Sequence, residues 1–164
     1  MQALAHQLRP LPASVWAWLL GQNGGFVLIT TGASRYVPGP ATIRRKTVQN
    51  VAYISVEDLA RQNEQPLHVI GHLLDHYLGC GGAPDGLWLS GGGGTTDRWR
   101  EAGRRLEKLF ALGYGLDTTA QANVQDYFAQ SLAFYCRDRR RLNTADPQIT
   151  KWFRSTLWNP AFWK

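Results

Sequence analysis

Three of the chain's four histidines fall within nine residues, His68-Val69-Ile70-Gly71-His72-Leu73-Leu74-Asp75-His76. On a helix, spacings of four and eight bring these rings near one face, with Asp75 beside them. A catalytic zinc takes three protein ligands plus a water. His68 and His72 can supply two nitrogens. His76, one turn further, is a rival third ligand, although a straight helix carries it away from a point shared by the first pair. Asp75 is placed to orient a ring through its second nitrogen. In the helical zinc-hydrolase motif H-E-x-x-H, a glutamate follows the first histidine and acts as general base. Here that position is Val69, which cannot move a proton.

These side chains need a helix, expected over residues 66–78. Pro66 suits its first turn and Gly79 its end. Leu67, Ile70, Leu74 and Tyr77 should pack inward. Gly71 would cost about 1 kcal/mol in a helix interior, so it reads as a point of close approach by another backbone. Upstream, the pattern predicts a helix over 13–20 capped by Ser14 and ended by Gly21, then a strand over 26–30. A turn-rich loop over 31–40 holds Tyr36. Strands over 41–49 and 51–54 follow, then a helical turn capped by Ser55. Downstream, the glycine-rich stretch 80–96 reads as a flexible rim. It is no phosphate loop, because no Gly-Lys-Ser/Thr follows it. Helices over 97–112 (Asp97 as cap), 123–136 and 147–157 complete the pattern, with a loop over 113–122 and an aromatic end, Trp158 to Trp163, as a core plug. There is no internal repeat and no domain boundary, so the expectation is one α+β domain over residues 1–164.

The stretch His68, Gly71, His72, Asp75, Tyr77 and Gly79, read with Asp126-Tyr127-Phe128-Ala129-Gln130-Ser131-Leu132, resembles the catalytic domain of anthrax lethal factor and its bacterial relatives. Those are zinc metallopeptidases of the zincin class. Their histidine helix has the form H-E-x-G-H-x-x-D, and a later helix has the form E-x-F-A-E-x-F. Arg141-Leu142, Pro147 and the aromatic-rich end also resemble the close of such domains. The resemblance covers most of residues 50–157. It implies a zincin-like fold, with a short sheet beside the histidine helix, and Zn2+ held by His68, His72 and Asp126. Gln130 takes the place of the family's outer glutamate. The departures fall on the chemistry: Glu becomes Val69, and the third-ligand Glu becomes Asp126, one methylene shorter. The family's tyrosine has only Tyr114 as a distant counterpart. Glu57 or Glu64 would have to fold back to serve as a base.

The expected function is therefore a catalytically impaired metallopeptidase-like domain that binds peptide or protein in the substrate-like cleft, or regulates. The alternatives are a divergent zinc hydrolase using another base and a metal-free structural domain of a toxin, phage or secretion system, in which the histidines form a polar network. The formal charge is +6, with Arg44-Arg45-Lys46 as one cluster and Arg137, Arg139, Arg140 and Arg141 as another. No nucleic-acid-binding module accompanies that charge, and nucleic acid is not expected as the main partner. Cys80 and Cys136 form no C-x-x-C pair. Residues 1–20 lack the order of a signal peptide and no stretch is apolar enough to span a bilayer. The expectation is no membrane insertion, with a cytoplasmic location or export independent of a signal.

Overall fold

The computed structural model describes residues 2–22, 26–114 and 116–164. It is α+β: three strands beside a set of helices. The chain begins with α1 (Gln2–Leu8) and α2 (Ala13–Leu20), followed by β1 (Phe26–Thr30), β2 (Arg35–Ile43) and β3 (Lys46–Ser55). β3 lies in the centre, parallel to β1 and antiparallel to β2. α2 begins after Pro12 with no side-chain cap, so Ser14 does not cap it.

The expected loop over 31–40 is mostly strand. Pro38 and Pro40 disguise it: proline gives no N–H to a ladder, but β2 is an edge strand and has a bulge between Val37 and Pro40. The expected single strand over 41–49 is instead the two arms of a hairpin. Arg44 and Arg45 turn it at φ 47° and 67°, the left-handed pair that a two-residue hairpin loop requires. The first basic cluster thus sits at a hairpin tip. Asn50 fastens the sheet to the helix beside it. Its amide donates to Tyr77 Oη at 3.1 Å and to the Gly82 carbonyl at 2.9 Å, and its oxygen accepts from the Gly39 N–H at 2.8 Å.

After α3 (Val56–Arg61), capped by Ser55 as expected, comes the histidine helix, α4 (Gln65–Cys80). It runs past Gly79 and ends at Gly81, whose φ of 67° gives the left-handed stop. Leu67, Ile70, Leu74 and Tyr77 are buried, and so are His68, Asp75 and His76. α4 is wrapped by the sheet on one side and by α7 (Val124–Arg137) on another. Gly71 is where the two helices meet: a Cβ there would lie 2.7 Å from Ala129 Cα. This bears out the reading of Gly71 as a backbone contact.

The remaining helices are α5 (Asp97–Phe110), α6 (Thr118–Ala122), α8 (Arg139–Ala145) and α9 (Pro147–Ser155). Thr96, not Asp97, caps α5. α6 lies within the expected loop over 113–122, and neither α1 nor α8 was expected. The stretch 81–96 is not a flexible rim. Leu89 and Ser90 are fully buried, the Leu89 N–H reaches the Asp75 carbonyl, and the Thr95 N–H reaches that of Leu78. Glycines of the two flanking helices permit its backbone to lie directly on theirs. A Cβ at Gly79 would meet Leu89 N at 2.2 Å, and one at Gly103 would meet the carbonyls of Gly93 and Leu89 at 2.5 Å. The aromatic end does not plug the core but lies half-buried against it, with Trp163 against Trp18 and Trp99. Among the described residues no helix is long and apolar enough to cross a membrane.

Candidate metal centre

α4 and α7 bring His68, His72 and Asp126 to one point. The Nε2 atoms of the two histidines are 3.0 Å apart, and Asp126 Oδ1 lies 3.4 Å from His68 Nε2 and 3.3 Å from His72 Nε2. Donors bound tetrahedrally to zinc at its usual bond lengths stand roughly 3.3 Å from one another. The three separations match one face of such a tetrahedron, and all three residues line a cleft of about 460 Å3. This half-buried group could hold a metal ion.

Each donor is aimed by a neighbour. Asn123 caps α7 by accepting the Asp126 N–H at 2.8 Å, and its amide donates to Asp126 Oδ2 at 2.6 Å. That reciprocal pair leaves Oδ1 for the cluster. Gln130 Nε2 donates to Asp117 Oδ2 at 3.0 Å, which fixes the amide so that its Oε1 faces His68 Nδ1 at 2.8 Å. An amide oxygen only accepts, so the proton of His68 sits on Nδ1 and the lone pair of Nε2 points at the cluster. His72 Nδ1 is buried without a partner. Burial, reinforced by the adjacent His68, pushes the His72 pKa down to about 4 against the pull of Asp126. Its ring is neutral at pH 7, the form that binds metal. Without metal the same atoms close as a hydrogen-bonded network if His72 Nε2 carries its proton.

The structure takes His76 out of contention as third ligand. Its Nε2 donates to the Ala83 carbonyl at 2.9 Å, its Nδ1 accepts from the Tyr36 hydroxyl at 2.7 Å, and its ring stacks on Trp88. Asp75 orients no histidine. It accepts from the Ser90 N–H at 2.7 Å and the Ser90 hydroxyl at 2.6 Å, and so fastens the glycine-rich loop to α4. Complete burial pushes its pKa up to about 7, although Ser90 pulls the other way. Tyr114 is exposed on the loop after α5 and does not line the cleft. Neither does Glu57, which pairs with Arg61 at the surface, nor Glu64. Cys80 and Cys136 are free thiols outside the cluster.

Val69, the residue after the first histidine, does line the cleft. Among the described lining residues Asp126 is the only carboxylate. Opposite it, the start of β2 contributes Arg35 and Tyr36, and the glycine-rich loop contributes Trp88. Reading the sequence alone misses Tyr36, Trp88, Asn123 and Asp117 as parts of the site. The spacing Asn123-x-x-Asp126 before an apolar helix is the one local signal that points to any of them. No family model matches the chain, and neither a curated protein nor a solved structure matches it.

Proposed function

We propose that the chain is a zincin-like domain of the lethal-factor type that holds zinc and has lost efficient hydrolysis, and that it serves as a peptide- or protein-binding or regulatory module. One observation carries this reading: two imidazole nitrogens and a carboxylate oxygen converge at zinc-like separations while valine fills the base position. His68, His72 and Asp126 would hold the ion, with Gln130 and Asn123 keeping their donors aimed. Bound zinc would supply Lewis acidity toward a carbonyl. The rest of peptide hydrolysis needs a proton carrier in the cleft, and Val69 is none. An extended peptide can lie along the open edge of β2, whose first residues form a wall of the cleft.

A divergent hydrolase is the second reading, and Tyr36 is the observation in its favour, because its ring borders the same cleft. Two facts weigh against it. The Tyr36 hydroxyl donates to His76, and burial pushes its pKa far above the ordinary tyrosine range. Such a group is a poor proton acceptor at neutral pH.

The test is elemental analysis for zinc and iron on untagged protein, beside a His68→Ala/His72→Ala double variant. One zinc per chain, absent from the variant, is the expected result. Iron in its place would point to the oxygen chemistry of two-histidine, one-carboxylate sites. No metal after zinc addition at neutral pH would sink the reading and leave a metal-free polar network. Zinc-dependent cleavage of unbiased peptide pools that vanishes in the variant would establish the hydrolase instead.

A further inference from the structure

Residues 137–164 carry seven basic side chains and two acidic ones, a net of +5 in a chain whose formal charge is +6. Both acids are engaged. Asp138 caps α8 through the Arg141 N–H, while buried Asp146 caps α9 and accepts the Tyr127 hydroxyl at 2.6 Å. Part of the excess gathers round a concavity of about 420 Å3 where α7, α8 and α9 meet, lined by Tyr135, Arg139, Arg140, Asn143, Thr150 and Arg154 among others. It shares no lining residue with the metal cleft.

Arg139, Arg140 and Arg154 have no carboxylate partner among the described residues. Arg139 is nevertheless held in place, its guanidinium 4.2 Å above the Tyr135 ring. The cation–π contact restrains the side chain, and among the described residues its N–H groups have no hydrogen-bond acceptor. Arg139 and Arg154 both draw the Tyr135 hydroxyl's pKa back against the rise that burial imposes, so both charges act on the same wall of the cavity. Three arginines line one hollow, and their like charges favour an anion between them. Their forked donors match the oxygens of a phosphoryl group, and charge-assisted bonds of this kind are the strong ones.

We propose that this pocket binds the phosphoryl group of a small phosphorylated ligand, with Arg139, Arg140 and Arg154 holding its oxygens. A cavity of about 420 Å3 leaves room for the organic part of the ligand beside the phosphate. The charge here converges on a hollow, whereas a surface that tracks a nucleic-acid backbone spreads it along a stripe or groove.

The test titrates inorganic phosphate and pyrophosphate into the full chain, followed by calorimetry and 31P line broadening. The expected result is one saturable site. Arg154→Gln should weaken it roughly tenfold or more, the loss of one charge-assisted hydrogen bond. Arg139→Lys keeps charge and stem but loses the fork, and should weaken it too. Arg45→Gln, at the hairpin tip, should leave it unchanged, and circular-dichroism melts confirm that each variant is folded. Absence of saturable binding overturns the proposal. So does an equal loss in Arg45→Gln, which marks diffuse attraction only, and so does tight binding of a single-stranded oligonucleotide with no phosphate site.

Discussion

Replacing Gly71 by alanine sets two effects of opposite sign against each other. In an isolated helix the change stabilises by about 1 kcal/mol, because alanine loses less backbone freedom than glycine. In this fold the new methyl would stand 2.7 Å from Ala129 Cα, 3.0 Å from its Cβ and 3.2 Å from its carbonyl oxygen. Carbon atoms rest comfortably at about 3.5–4.0 Å, so α4 and α7 must part by roughly 1 Å. Overpacking of this kind costs about 1–3 kcal/mol, which leaves Gly71→Ala destabilised by up to about 2 kcal/mol. That is a fall in Tm of up to roughly 8 °C for a chain of this size. The larger consequence is at the cluster. His68 and His72 ride on α4 and Asp126 on α7, and metal bonds tolerate about 0.2 Å. A parting of roughly 1 Å therefore withdraws Asp126 from the ion. We expect zinc affinity, measured by competition with a chromophoric chelator, to fall at least tenfold while far-ultraviolet circular dichroism remains that of a folded protein. A variant with raised Tm and unchanged zinc affinity would refute both the helix contact and the assignment of Asp126.

Gln130→Ala removes the acceptor that fixes the His68 tautomer and should weaken zinc binding about 10–100-fold by the same competition assay. Val69→Glu returns a carboxylate to the wall of the cleft. Metal-dependent cleavage of quenched fluorescent peptides should rise about 100-fold or more over the parent, and no rise in a zinc-loaded variant would count against the zincin reading. Asp75 gives a pH signature. Its folded pKa of about 7 lies above the unfolded value of about 3.9, so its protonated form contributes stability that is complete below pH 4 and is lost as pH rises through 7. Urea midpoints should show wild type falling relative to Asp75→Asn across that window, at most about 1.4 kcal/mol per pH unit; parallel curves would refute the assignment.

The histidine helix, the helices over 97–110 and 124–137, and the first strand are legible because each carries a sustained apolar period between caps or glycines. His68 and His72 can be read from spacing alone, and Asp126 from the lethal-factor-like pattern of its helix. What cannot be read is set by contacts between distant parts of the chain. Asp75 has the spacing of a partner for histidine, yet it turns to Ser90, fifteen residues on. His76 has the spacing of a ligand, yet Tyr36 and Ala83 occupy both its nitrogens. Gln130 finds Asp117 across the α6–α7 corner. β2 is hidden by prolines that only an edge position tolerates, and edge position is a property of the sheet. α8 is short, is rich in arginine and buries only Leu142, so it offers almost no apolar period to read.

The glycine-rich stretch between α4 and α5 reverses the usual expectation for such composition. At Gly94 in this stretch, and at Gly79 and Gly103 in the helices that flank it, a single added methyl would fall within 2.0–2.5 Å of backbone atoms of a neighbouring segment. Backbone cannot step aside as a side-chain tip can. In a saturation-mutagenesis library selected for folded protein, these positions should be depleted as severely as the apolar core, while the arginine-bearing hairpin tip accepts most replacements. Over long divergence the stretch would change only in concert with both flanking helices. A segment that looks like filler is thus among the least freely drifting parts of the molecule, and it is the wrong place to shorten, extend or tag the chain.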